Sequence, residues 1–241
     1  MRREFLELDQ RADDVLRIEP GLRFAAVFFS ESAESRAAKL LPQIGAHVET
    51  LILPDNVFAS AVATETPQGV AALVRVKAFD LAGVLRVPQP LIVVAAGLQD
   101  PGNLGTIIRS AEAFGAAGVL LAERTVGQFN PKVVRASAGS VFRLPIVNVA
   151  LDDAVAALRE RGVRLLATSS HKGTPADEAA FTGAVALFIG NEGAGLPRSA
   201  MSAMDEVVMI PHSERVESLN AGVATSVLLY EAARQRNRSA S

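Results

Sequence analysis

From residue 91 onward the chain alternates short, mostly apolar runs with segments of helical periodicity, and this pattern constrains the fold more than any other feature. The runs 91–96, 118–122, 163–168, 184–189 and 206–210 are each about one strand long. Between and after them, segments 104–114, 131–138, 151–161, 196–203 and 218–236 read as helices. Pro131 stands near the start of the second, where proline is tolerated. The last places Leu219, Val223, Val227 and Tyr230 on one stripe. Such alternation predicts an α/β domain with a mostly parallel sheet.

The first part of the chain is less regular. Residues 1–17 read as an amphipathic helix, 23–29, 48–53 and 69–76 as strands, and 32–41 and 55–63 as helices that Ser32 and Asp55 would cap. Segment 77–90, with Gly83, Pro88 and Pro90, reads as a linker. The expected organisation is therefore a small α/β domain over 1–88 and a larger one over 89–241, with no internal repeat.

Composition excludes several classes of chemistry. The 241 residues include no cysteine, so disulfides, thiolate nucleophiles and Cys-ligated metals are ruled out. Three scattered histidines, His47, His171 and His212, make no metal-ligand pattern, and no metal is expected. The longest apolar stretches, 90–98 and 221–230, are about half a membrane span. Acidic residues stand where a signal peptide would be apolar, so a cytoplasmic location is expected. With 24 basic against 26 acidic residues, the whole-chain charge gives no support for nucleic-acid binding. One local run departs from this balance: Arg124, Lys132, Arg135 and Arg143 lie in a stretch without acids, which on charge alone reads as a solvated face.

Ligands of open parallel sheets sit beyond the carboxyl ends of the strands. Three such ends here are dense in Gly, Asn, Glu and Arg. After the first, Asn103 is a candidate helix N-cap, and Arg109 falls two turns into the helix beside its apolar face. Arg109 either pairs with an acid or snorkels, or it faces a cleft that holds an anion. After the 184–189 strand come Gly190, Glu192, Gly193 and Gly195, which either form a tight turn or let backbone approach a ligand closely. The spacing is neither GxGxxG nor Walker A, which argues against a dinucleotide or ATP site. After the 206–210 strand, Pro211 opens a polar loop leading to Glu217, Ser218 and Asn220.

In order and spacing, these stretches resemble the motifs of the SpoU (TrmH-like) RNA ribose 2′-O-methyltransferases of the SPOUT superfamily. Motif one reads as Asn103, Gly105, Arg109, Ala111, Phe114 and Gly115. Motif two reads as Gly190, Glu192, Gly195 and Leu196, and motif three as Ile210, Pro211, Glu217, Ser218, Leu219 and Asn220. The segment 130–139 looks like the family's stretch between motifs one and two, and the match covers roughly 67–236. His212 stands where Met is common and Glu214 where Gly is common.

The resemblance implies a trefoil-knotted methyltransferase domain behind a small RNA-recognition domain, a homodimer, and S-adenosylmethionine as methyl donor. It places cofactor-binding backbone near Gly190, Ile210 and Leu219, and catalytic or organising roles at Arg109, Asn103, Glu192, Ser218 and Asn220. Arg124, Lys132, Arg135 and Arg143 become candidate contacts to the RNA backbone, the RNA being rRNA or tRNA. The alternative is a non-catalytic RNA-binding or assembly protein on the same scaffold.

Overall fold

The computed structural model describes residues 2–7, 23–62 and 67–239, and the chain divides into two compact units after Ala78.

The first unit is a four-stranded sheet with short helices. Its elements are β1 (Arg2–Glu7), β2 (Arg23–Ser30), α1 (Glu34–Leu40), β3 (Glu49–Leu53), α2 (Asp55–Ala61) and β4 (Val70–Val76), and the strand order is β1-β4-β2-β3. β4 runs antiparallel to both β1 and β2, while β2 and β3 are parallel. The central β4 is buried almost throughout, and Val27, Phe29, Leu40 and Phe58 pack the core. The helix expected over 1–17 is corrected where it can be compared: residues 2–7 form β1. That strand obtains its hydrogen bonds from β4, about 70 residues away, a partner that local periodicity cannot reveal. Residues 8–17 of the same expectation, and 63–66 of the later ones, lie outside the described residues.

The second unit begins with α3 (Leu81–Leu85), β5 (Leu91–Ala95), α4 (Pro101–Ala113) and β6 (Gly118–Leu121). It continues through α5 (Pro131–Ser137), α6 (Ser140–Arg143), β7 (Ile146–Asn148), α7 (Leu151–Glu160) and β8 (Arg164–Ser169). It closes with β9 (Thr174–Pro175), β10 (Val185–Ile189), α8 (Arg198–Met201), β11 (Glu206–Met209) and α9 (Ala221–Ser239). The seven strands pair in parallel in the order β7-β6-β5-β10-β8-β11-β9.

Period-two alternation divides the core into two faces. Val93, Val119, Leu187 and Ile189 pack under α4 and α9 through Leu104, Ile107, Ile108, Leu228 and Leu229. Ile92, Val94, Leu120 and Phe188 pack against α7 through Ala154 and Leu158. Covering both faces explains why these strands read as unbroken apolar runs. Each fully buried Leu, Ile or Phe contributes about 1.5–3 kcal/mol.

Segment 77–90 is more than a linker. Asp80 caps α3 by accepting from the Gly83 N–H at 2.6 Å, and Val84 is buried against the sheet. The two units therefore part about ten residues before residue 88.

Two further expectations change. The N-cap of α4 is Asp100, whose carboxylate accepts from the Asn103 N–H at 2.6 Å, with Pro101 in the first turn; Asn103 is already helical. The stripe of Val223, Val227 and Tyr230 on α9 is exposed, at 49%, 41% and 57%, while Thr225, Leu228, Leu229 and Ala232 face the core. Among the described residues no helix is long and apolar enough to cross a membrane.

Candidate active site

The parallel sheet sets the position of the site. Strands β8, β10 and β11 are neighbours, and their carboxyl ends open into a cleft of about 480 Å³. Its wall runs from Thr168, Ser169 and Ser170 at the end of β8, through 189–195 at and beyond the end of β10, to Ile210 and His212 after β11. Ser218, Leu219, Asn220 and the first turns of α9 close it, and Asn103 reaches in from α4.

Backbone geometry makes the turn after β10. A Cβ on Gly190 would fall inside the contact distance of the Gly195 and Leu196 backbone, and Gly195 adopts a φ of +67°. Asn191 and Gly195 exchange two backbone hydrogen bonds, at 3.1 and 2.8 Å. The Asn191 side chain accepts from the Gly193 and Ala194 N–H groups, both at 3.0 Å, and donates to the Gly97 carbonyl at 2.9 Å. Glu192 accepts a 3.0 Å hydrogen bond from the Asn103 amide, which is 7% exposed. Two consecutive residues thus join the glycine turn to the segment after β5: Asn191 to the Gly97 loop and Glu192 to α4 itself.

On the facing wall, Asn220 caps α9: its Oδ1 accepts from Val223 N–H at 3.1 Å and its carbonyl from Ala224 N–H at 2.8 Å. His212 Nδ1 lies 2.7 Å from the Ile210 carbonyl oxygen, and its ring centroid is 5.9 Å from that of His171.

Seven of the predicted site residues meet in this cleft: Asn103, Gly190, Glu192, Ile210, Ser218, Leu219 and Asn220. Arg109 does not line it. Asn103 and Arg109 are six residues apart on α4, which places them ~9 Å along the axis and about 120° apart around it. Arg109 is exposed, and no hydrogen bond or ion pair holds it among the described residues. Gly105 of motif one serves packing: a Cβ there would run into the Cβ of Ala136 on α5.

The basic run also divides. Arg124, with a φ of +62°, Lys132 and Arg135 are exposed. Arg143 is gripped by Glu112, with Nη2 to Oε2 at 2.7 Å, and the Arg143 hydrogen bond holds the Glu112 carboxyl below its ordinary range. Thr168, Ser169 and Ser170 escaped sequence reading because no glycine or charged motif marks them. Their place at the carboxyl end of an apolar run was the available signal.

The lining is mixed in a way that suits a nucleoside-like ligand. Ile189, Val208, Ile210, Leu219 and Leu228 give an apolar floor, and hydroxyls and open backbone give a polar rim. Fold and cleft together define an α/β protein with a part-apolar, part-polar cleft among loops at the carboxyl end of a parallel sheet.

Comparison with known proteins makes the class definite: residues 90–230 match the model of the SpoU rRNA Methylase family, and the chain belongs to that family. It is 36% identical over 183 residues to the Bacillus subtilis 23S rRNA (guanosine(2553)-2′-O)-methyltransferase RlmP, covering 76% of this chain and 72% of that relative. It is 40% identical over 159 residues to a protein of Mycobacterium tuberculosis described as an uncharacterized tRNA/rRNA methyltransferase, covering 66% of this chain and about half (49%) of that one. Among solved structures it resembles the SpoU methyltransferase AviRb of Streptomyces viridochromogenes in complex with AdoMet. There the TM-score is 0.83 and the identity 32%, over 97% of this chain and 90% of that one.

Proposed function

We propose that this protein transfers the methyl group of S-adenosylmethionine to a ribose 2′-hydroxyl in structured rRNA or tRNA. The observation that carries the reading is convergence. Residues spread from Asn103 to Asn220 meet around one cleft, on a scaffold that matches an AdoMet-bound SpoU methyltransferase over nearly its whole length.

When bound, S-adenosylmethionine supplies an electrophilic sulfonium methyl. The chain's own residues bind and orient. Backbone at Gly190, Ile210 and Leu219 would hold the adenosyl end over the apolar floor. Asn103 keeps Glu192 at the glycine turn, and Asn220 fixes the start of α9 beside Ser218 and Leu219.

The hydroxyl is a poor nucleophile until its proton leaves, so the site must favour a developing alkoxide. Arg109 is the cation suited to that task, as a stabiliser and phosphate clamp, because a guanidinium remains protonated. It points away from its own cleft, so it must serve the cleft of a second copy. This supports a homodimer built on α4 and α9. The exposed Val223, Val227 and Tyr230 provide an apolar face, and Tyr230 stacks edge-on to Phe114 at the end of α4 with centroids 5.8 Å apart. A trefoil knot is supported by the strand order, with β10 between β5 and β8, and by α9 packing back on α4. The first unit, residues 1–78, would select the RNA, Arg124, Lys132 and Arg135 would contact its backbone, and the cytoplasm, where RNA is available, would be the place of action.

Calorimetry with S-adenosylmethionine tests the reading first. Micromolar binding, together with 2′-O-methyl groups missing from rRNA or tRNA of cells lacking the protein, is expected. RNA binding without cofactor binding overturns it in favour of a scaffold role. Arg109→Lys should lose most turnover while keeping cofactor affinity, since a point charge does not reproduce the planar fork. Wild-type turnover in that variant removes Arg109 from the mechanism.

A further inference from the structure

Asn191 lies between two residues of the family motif, yet none of the roles described above requires it. Its side chain nevertheless makes three hydrogen bonds, and its two ends do separate work. Oδ1 accepts from Gly193 and Ala194 N–H and so shapes the turn from within. Nδ2 reaches across 94 residues of sequence to the Gly97 carbonyl at 2.9 Å.

That carbonyl is held firmly. Gly97 has a φ of +74°, and its N–H donates to Thr125 Oγ1 at 3.0 Å, which in turn donates to the Ala95 carbonyl at 3.0 Å. Three residues further on, Asp100 caps α4, the helix that carries Asn103 and Arg109. Asn191 is half-buried, whereas Glu192, which makes the neighbouring link to α4, is exposed to competing water.

We infer that Asn191 is a positioning residue: its amide registers the cofactor turn against the start of α4, and so governs the methyl-transfer step separately from cofactor affinity. This rests on the proposed activity. Oδ1 alone maintains the turn that faces the cofactor. Nδ2 ties that turn to the Gly97 loop, three residues ahead of the Asp100 cap of the helix on which the RNA-facing groups stand, and does so beside the direct Glu192–Asn103 link. Removing Nδ2 while keeping Oδ1 therefore separates the two functions.

Asn191→Asp does this, because a carboxylate still accepts from Gly193 and Ala194 but presents an oxygen to the Gly97 carbonyl. Asn191→Ser repeats the separation without a charge, since its hydroxyl can accept from the turn but is too short to reach Gly97. The full-length protein is used throughout. S-adenosylmethionine affinity is read by calorimetry. Single-turnover transfer of a labelled methyl group, at saturating cofactor, uses rRNA and tRNA extracted from cells that lack the protein. Melting temperature serves as the folding control.

For both variants the inference expects cofactor Kd within about threefold of wild type and transfer slowed about tenfold or more, the scale of one lost hydrogen bond that leaves a carbonyl unpaired. Asn191→Ala, which loses both ends, should weaken affinity and rate together. Wild-type transfer in the serine variant overturns the inference. So does a loss confined to cofactor affinity. A wild-type protein that methylates neither the rRNA nor the tRNA overturns the proposed function itself, a result seen before any variant is made.

Discussion

Substituting Gly105 by alanine tests whether the motif-one glycine exists for packing. In an isolated helix the change would be favourable by about 0.5–1 kcal/mol. Here the new Cβ would collide with the Ala136 Cβ and lie 2.9 Å from the Val133 carbonyl oxygen and 3.1 Å from the Ala136 carbonyl carbon. Two of these are backbone atoms, so no rotamer change relieves the contact and α4 and α5 must separate. Overpacking of this kind costs typically ~1–3 kcal/mol, and rigid backbone neighbours place it toward the upper end. After the propensity gain, a net loss of about 2 kcal/mol is expected. For a domain of this size that lowers the melting temperature by roughly 4–8 °C. Circular-dichroism melts at fixed protomer concentration measure it. The double variant Gly105→Ala, Ala136→Gly removes the closest contact but not the carbonyl one. The two changes should couple favourably by about 1 kcal/mol in a mutant cycle. If Gly105→Ala melts at or above the wild-type temperature, the packing account of the glycine is wrong.

Four further outcomes are expected. Glu112 is held below its ordinary carboxyl range by Arg143, so its contribution to stability is complete above the unfolded-state value near 4.3 and is lost as pH falls through the lower folded value. Denaturation curves should show this acid-side loss shrink in Glu112→Gln, and an unchanged pH profile refutes it. Val227→Asp on the exposed face of α9 should convert a dimer to monomers in light scattering, and an unaltered mass excludes that face as the interface. Removing Lys132 and Arg135 together should lower the salt slope of RNA binding by roughly 1.5, and an equal slope shows that neither touches phosphate. Asp100→Ala should cost about 1 kcal/mol through loss of the α4 cap, read by urea denaturation, with no loss pointing to a redundant cap.

How much of the molecule the sequence revealed depended on the range of the interactions involved. Strands β5, β6 and β10 were legible because burial on both faces leaves an unmistakable apolar run, and β8 and β11 because a short apolar core follows a charged first residue. Pro131 and the polar residues at three strand ends marked the turns for the same local reason. β1 was misread because its hydrogen bonds come from β4, and β7, only three residues long, was missed altogether. On α9 the stripe read from sequence lies outside, at Val223, Val227 and Tyr230, because packing takes Leu228, Leu229 and Ala232 for the core. The same limit applied to the site. Cleft residues at strand ends could be read from position, whereas the outward orientation of Arg109 required the helix to be docked. Asn103 was recognised as important but given a capping role that Asp100 performs.

Near the end of α9, Arg236 donates to the carbonyls of Phe181, Gly183 and Gln89. Gln89 lies just ahead of β5, 147 residues earlier in the chain. At a ribosomal pace of about 5–20 residues per second, that clasp closes roughly 7–30 s after its first partner has been made. The nascent chain must keep the entry to β5 accessible for that interval, so α9 locks the start of the seven-stranded sheet only after every strand of that sheet has been made.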